Sequence, residues 1–272
     1  MERIGNASIT EIEAKLFNEA KEKIFWPTHL SFLKQHNGFR PGNVHVLLGT
    51  SSGGKSTLVR SIIFSTLAMM PKDKKILLWL SEESKNDFRI EFHRSELRIA
   101  SLLEKLYLVS EIDELDDIGD ARKAMNLFKE VCAEVDLVIF DNITTSILYN
   151  DLKGQGTVVS QLKKIAERNE VPLLLIAHTG SEVNNNINRL ITMNDIRGNK
   201  TLVNLSQFFY IMQSFNIEND VHNTITVTKH RGQDCDNFLY SLHYDKIKRM
   251  YDYDVYLTFP KIKELHSKRN KL

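Results

Sequence analysis

The stretch VHVLLGTSSGGKST, residues 44–57, joins an apolar β-prone run to a glycine-rich turn and a helix start. Gly49-Thr50-Ser51-Ser52-Gly53-Gly54-Lys55-Ser56 satisfies G-x-x-x-x-G-K-[ST], and the helix-compatible run TLVRSIIFSTLAMM begins directly at Thr57. Gly49, Gly53 and Gly54 let backbone N–H groups turn inward around a phosphate, and the helix start adds its positive dipole end. Residues 49–57 are therefore the candidate nucleotide cradle. Lys55 would reach the β- and γ-phosphates, and the Ser56 hydroxyl would ligate Mg²⁺. The stretch predicts binding of ATP or GTP.

Bulk properties narrow the class. The chain has 272 residues, 42% of them hydrophobic, and a formal net charge of +1. This suits one large α/β domain or a core with a small appendage, and a near-zero charge argues against an obligate polyanion-coating protein. No apolar run reaches the roughly 20 residues needed to span a bilayer, and the first residues lack the apolar middle of a signal peptide. Cys132 and Cys235 are too few for a disulfide framework or a zinc site. A cytoplasmic, membrane-free protein is the expectation.

Apolar runs alternate with helical patterns along the chain. Residues 76–80 (ILLWL), 106–109, 135–140 and 172–177 read as strands, the first wholly apolar as befits burial on both faces. Residues 121–134 and 158–168 read as helices, and another begins near Ser84. This alternation predicts a mainly parallel sheet with helices on both faces. Residues 208–212, 224–229, 238–244 and 255–259 are β-rich and would extend the sheet at one edge. Three segments follow: residues 1–25, holding an amphipathic helix over 8–25; residues 26–260, the main domain; and residues 261–272, a basic tail. The leading helix would fold onto its own domain or dock on a neighbour.

Ligands of such sheets gather at the carboxyl ends of the strands. Asp141 closes an apolar strand and fits a Walker B acid, positioning Mg²⁺ beside Ser56. Glu82 or Glu83 is placed to orient the water attacking the γ-phosphate. His178, also ending a strand, would sense that phosphate or serve the local structure. Gln155 and Gly156 suit a loop that responds to nucleotide.

These residues resemble the RecA-fold motor domain of hexameric replicative helicases, of the DnaB type and especially the phage and mitochondrial primase-helicase type. RadA and KaiC are more distant relatives. FLKQHNGFRPGNVHVLLGTSSGGKST resembles that group's entry into the phosphate loop, LLWLSEES the strand carrying its catalytic glutamate, and LVIFDNI its Walker B strand. LLLIAHTG resembles the strand ending in the phosphate-sensing histidine. The segment ITMNDIRGNKTLVNLSQ (191–207) resembles the phage helicases' "I-t-D-l-R-G-S" segment, and VTKHRGQDCDNFLYSLHYDK their following strand pair. The resemblance covers roughly residues 26–244. It implies a RecA-like P-loop ATPase core, with Lys229 and Arg231 reaching the γ-phosphate of an adjacent subunit. Strand alignment with the DnaB type favours Glu82 as the catalytic glutamate, whereas alignment with recombinases favours Glu83; Glu82 is preferred. By resemblance the loop after His178 lines a central channel, making Asn185, Asn186, Arg189 and, from the preceding loop, Lys153 the candidate DNA contacts. Lys163 and Lys164 either add to these or form an exposed helix face. The loop is poor in lysine compared with relatives, and priming is not expected.

The resulting expectation is a ring-forming ATPase, hexameric by resemblance, that translocates on single-stranded DNA in DNA replication, with a primase or loader as further partners. If phage or mobile-element encoded, it would work in a bacterial host cytoplasm. Two other readings stand beside it: a RadA-type recombination or repair ATPase, and a KaiC-like nucleotide-dependent regulator without a DNA role.

Overall fold

The computed structural model describes residues 28–34, 38–94, 100–114, 121–149, 154–181, 190–217, 220–231 and 238–257. The leading helix, the basic tail and the candidate DNA contacts Lys153, Asn185, Asn186 and Arg189 lie outside these residues. Among the described residues nine strands form one sheet in the order β3-β2-β4-β5-β1-β6-β7-β8-β9. β1 is Val44–Gly49, β2 Ile76–Leu80, β3 Leu106–Ser110, β4 Leu137–Asp141 and β5 Leu173–His178. β6 is Phe208–Ile217, β7 Asp220–His230, β8 Phe238–Asp245 and β9 Met250–Tyr256. The first six are mutually parallel, and β6 to β9 continue as an antiparallel meander.

The mostly apolar strands owe their composition to burial on both faces: every residue of β1 and β2 is buried. On one face α1 (Lys55–Met69) packs Leu58, Val59, Ile62 and Ile63 against Leu47, Leu78 and Ile139. On the other, α3 (Ala121–Cys132) and α4 (Gln155–Arg168) bury Phe128, Val159 and Leu162 against Val46, Trp79 and Phe140. α2 (Lys85–Arg94) follows β2, with Ser84 Oγ accepting the Asp87 N–H as its cap. A short helix, α5 (Thr201–Leu205), packs on α4. Among the described residues no helix is long and apolar enough to cross a membrane.

Two local expectations are corrected. Among the described residues the last strand is Met250–Tyr256, which begins five residues before the expected 255–259; residues 258 and 259 lie outside the described residues. Asp245 accepts the Ile247 and Lys248 N–H groups, and Arg249 takes φ +54°, so the turn closes early and the alternating YDYDVY pairs with β8. Gln155 and Gly156 form the first turn of α4, not a loop. Gln155 is buried and donates to the Tyr149 carbonyl, while a Cβ on Gly156 would lie 3.1 Å from Thr201 Oγ1. Close packing of α4 on α5 explains that glycine.

Near the start of β1 the sheet encloses a polar group. His45 is fully buried, stacks on Phe208 with centroids 4.3 Å apart, and shares a 3.0 Å hydrogen bond with the Tyr210 hydroxyl. Its Nε2 has no hydrogen-bond partner among the described residues. Burial, then the charges of Arg40 and His230, push its pKa down to about 3. The folded state thus binds this proton more weakly than the unfolded chain, whose histidine titrates near 6.5. Stability is fullest above about pH 6.5 and falls as the pH drops towards 3. At pH 5 the loss from this residue is about 2 kcal/mol. In thermal melts, His45→Phe should lose less stability than the native chain between pH 7 and pH 5.

Candidate nucleotide site

The parallel register brings four strand ends to one edge. Gly49 pairs beside His178, and Leu80 beside Asp141. The phosphate loop, the Ser81–Ser84 turn, Asp141 and His178 therefore share the carboxyl edge of the sheet, although more than 120 residues separate the first from the last in the chain.

The loop has the backbone a cradle requires. Ser52 has φ +59° and Gly54 φ +85°, and Gly53 N–H donates to the Thr50 carbonyl. A Cβ on Gly53 would lie 2.8 Å from Thr50 Oγ1; one on Gly54 would lie 2.8 Å from the Tyr251 hydroxyl and 3.1 Å from Met212 Cε. Gly54 is thus demanded twice, by conformation and by space. Gly54→Ala should cost about 1–3 kcal/mol, measurable as a lowered denaturation midpoint. Tyr251 comes from β9, whose N–H at this residue donates to Ser61 Oγ of α1 at 2.8 Å. The antiparallel extension therefore buttresses the phosphate loop and its helix.

Lys55 is buried, and its ammonium donates to the Thr50 carbonyl at 2.6 Å. Burial lowers its pKa to about 8, against the opposing pull of Asp141 and Glu82. The Ser56 hydroxyl hydrogen-bonds the Asp141 carboxylate, whose pKa is raised mainly by burial while Ser56 and Lys55 oppose the rise. Two hard oxygen donors from different elements meet here. That set suits Mg²⁺, which is commonly held by one or two protein oxygens while phosphates and water complete its shell. Among the described residues no group of three or more His, Cys, Asp or Glu could hold a metal unaided.

The two glutamates are treated differently by their surroundings. Glu83 pairs with Arg60 of α1 at 3.2 Å, and its backbone carbonyl accepts from Ser110 Oγ at 3.0 Å. Glu82 has a 49% exposed side chain, and its carboxylate lies 3.9 Å from His178 Nδ1. His178 is held at both backbone ends: its N–H donates to Thr144 Oγ1 at 3.1 Å, and its carbonyl accepts from Arg197 N–H at 2.9 Å. Burial, then the charges of Lys55 and Arg197, lowers its pKa to about 4. At neutral pH it is an uncharged imidazole, able to donate or accept one hydrogen bond. Asn142 Oδ1 accepts from both the Thr144 N–H and hydroxyl, and Ser81 Oγ bonds the Asn142 backbone. The Glu82 turn, the Asp141 strand end and His178 thus share one hydrogen-bonded frame.

Lys229 and Arg231 are not part of this edge. Lys229 pairs in register with Phe209, near the start of β6. Its ammonium donates to the carbonyls of Val203 and Asn204, and Arg231 Nη2 donates to Asn204 O at 3.3 Å. Val203 and Leu205 pack on the sheet face opposite α1. Both cations therefore sit towards the amino edge of β6, on the face away from the phosphate-loop helix. Lys163 of α4 lies close enough for the Arg231 charge to reinforce the lowering of its pKa by burial.

Sequence reading missed Arg60, Arg197 and Tyr251. Arg60 looks like a polar position on a helix face, and Tyr251 lies 197 residues beyond the glycine it touches; neither carries a local signal. Arg197 falls inside the segment quoted for its resemblance, but that segment assigns it no contact with His178.

A phosphate loop at the carboxyl edge of a parallel sheet, with a buried lysine and a Ser–Asp pair beside it, defines the class: a P-loop nucleotide-binding ATPase domain. A family model described as an AAA domain matches residues 33–183, more than half of the chain, and the protein belongs to that family. No curated protein matches the chain.

Proposed function

We propose that the protein is a ring-forming ATPase of the replicative-helicase kind, stimulated by single-stranded DNA and moving along it. The observation that carries this reading is the placement of Lys229 and Arg231. Roughly three residues, or about 10 Å of strand, separate the level of Lys229 from the end of β1, and roughly five separate that of Arg231, and both lie on the opposite face. Both are badly placed for their own phosphate loop; Arg231 is exposed and Lys229 half-buried, which leaves the guanidinium open to a neighbour's site. The resemblance of residues 191–207 and of the strand pair after them to phage helicases supports the DNA-translocating form.

In this reading the loop N–H groups and Lys55 hold the β- and γ-phosphates. Ser56 and Asp141 would hold Mg²⁺, which supplies charge neutralisation on the phosphate oxygens. Glu82 accepts a proton from the attacking water, and neutral His178 hydrogen-bonds the γ-phosphate and reports its presence through the Thr144–Asn142 frame. Arg231, with Lys229, enters from the adjacent subunit to neutralise charge on the transferring phosphoryl group.

The test is the ATPase rate with and without single-stranded DNA, on material whose oligomeric mass is measured with a nonhydrolysable ATP analogue. A ring of subunits whose rate rises severalfold with DNA is expected. A rate indifferent to DNA, with no DNA binding at low salt, would instead favour a nucleotide-dependent regulator.

A further inference from the structure

The turn after β2 carries two adjacent glutamates, and the residues around it do not treat them alike. Ser81 is tied to the end of β4 through its N–H to the Asp141 carbonyl and its hydroxyl to the Asn142 backbone. Ser84 caps α2, and the Lys85 N–H donates to Asp113. Glu83 is held through its carbonyl by Ser110 and through its carboxylate by Arg60. Only the Glu82 side chain in this turn makes no hydrogen bond among the described residues. Its neighbours are Lys55, Asp141 and His178.

Three carboxylates, Glu82, Glu83 and Asp141, thus crowd the place where a γ-phosphate brings further negative charge. Arg60 stands on the second turn of the helix that begins with Lys55, and its charge acts on both Glu83 and Asp141. The Arg60 and Glu83 side chains are only 21% and 24% exposed, so solvent screens this charge incompletely. Burial and Asp141 both push Glu83 towards protonation, and Arg60 opposes them.

We propose that Arg60 is a positioning residue for hydrolysis: it neutralises Glu83 and holds it against the phosphate-loop helix, leaving Glu82 as the carboxylate of this turn that, among the described residues, makes no hydrogen bond and stands ready for the phosphate. This deepens the reading of Glu82 given above and rests on it. Without Arg60, Glu83 becomes an unpaired, partly buried carboxylate, free to swing towards the phosphate or to take up a proton there. Either outcome disturbs the charge balance around Glu82 without removing any group that binds nucleotide.

Steady-state ATPase kinetics and melting temperatures of Arg60→Ala, Arg60→Lys, Glu83→Gln and Arg60→Ala/Glu83→Gln test the proposal. Arg60→Ala should lower kcat about 10- to 100-fold while KM for ATP moves less than about threefold. Arg60→Lys should recover most of the rate, because an ammonium still pairs with Glu83. The distinguishing result is the double variant: removing the Glu83 charge should restore kcat to within about fivefold of the native enzyme. If the ion pair merely braces the turn, the double variant stays as slow as Arg60→Ala and Glu83→Gln alone is equally slow; that result overturns the proposal. A kcat for Arg60→Ala within threefold of native also overturns it. Should Arg60→Ala not fold, Arg60→Gln replaces it in the same comparison. Failure of the underlying site is seen separately: if Glu82→Gln hydrolyses ATP at the native rate, Glu82 is not the base. If Glu82→Gln is inactive while the Arg60 variants behave like native, only the Arg60 proposal falls.

Discussion

Glu82→Gln should bind ATP with near-native affinity and hydrolyse it about 100- to 10,000-fold more slowly, the range a positioned general base supplies. The substitution keeps the side chain's shape and removes only its capacity to take a proton. Among the described residues no hydrogen bond of the nucleotide cradle uses Glu82: the loop backbone and the Lys55–Thr50 contact are formed without it. Its carboxylate lies 3.9 Å from His178 and in the fields of Lys55 and Asp141, where an attacking water would be held. Glu83→Gln, by contrast, alters a carboxylate already committed to Arg60, and its rate should stay within about fivefold of native. Single-turnover hydrolysis alongside equilibrium binding of a fluorescent ATP analogue separates the two effects. Equal losses in the two variants would remove the assignment of Glu82 as the base.

Arg231→Ala should be nearly as severe in hydrolysis, with a loss of about 1,000-fold or more, and equally silent in ATP binding. The reason is geometric. Arg231 hangs from the carbonyl of Asn204 beside α5, on the sheet face opposite the phosphate-loop helix, so its removal leaves the subunit's own cradle untouched. A complementation experiment makes the expectation sharper. Lys55→Ala subunits lose their own phosphate grip but keep Arg231; Arg231→Ala subunits keep the grip and lose the guanidinium. Each preparation should be inactive alone, and mixing them should restore measurable ATPase activity at interfaces where an intact loop faces an intact arginine. Restoration is the signature of a site shared between subunits. Failure of the mixture to recover, when both variants still assemble, would confine Arg231 to a role within its own chain.

Much of this architecture can be read from the chain because the parallel strands are buried on both faces. Such strands must be continuous apolar runs, and ILLWL or LVIF has few other places to go. The polar residue that ends each run is then placed at the sheet edge by the connection rule for α/β folds. The antiparallel extension is less legible. β9 alternates tyrosine with aspartate, and its Asp254 accepts the Ser31 and Phe32 N–H groups to cap a distant helical turn, a use of charge that local pattern does not announce. The same holds for His45, a polar residue in an apolar strand whose place is explained only by stacking on Phe208 and bonding to Tyr210.

The sequence by itself determined that a phosphate loop opens the helix after β1, that a parallel sheet carries it, and that Asp141, His178 and a glutamate after β2 stand at strand ends. These are local facts: spacing, period and the residue that closes each run. Tertiary structure alone decided which glutamate is free, because Arg60 reaches across 23 positions to claim Glu83. It also decided that Tyr251 closes over Gly54, and that Lys229 and Arg231 face away from their own nucleotide site. Those outcomes depend on strand order and on contacts between elements far apart in the chain, and charge pairing and close packing act through space, not along the sequence.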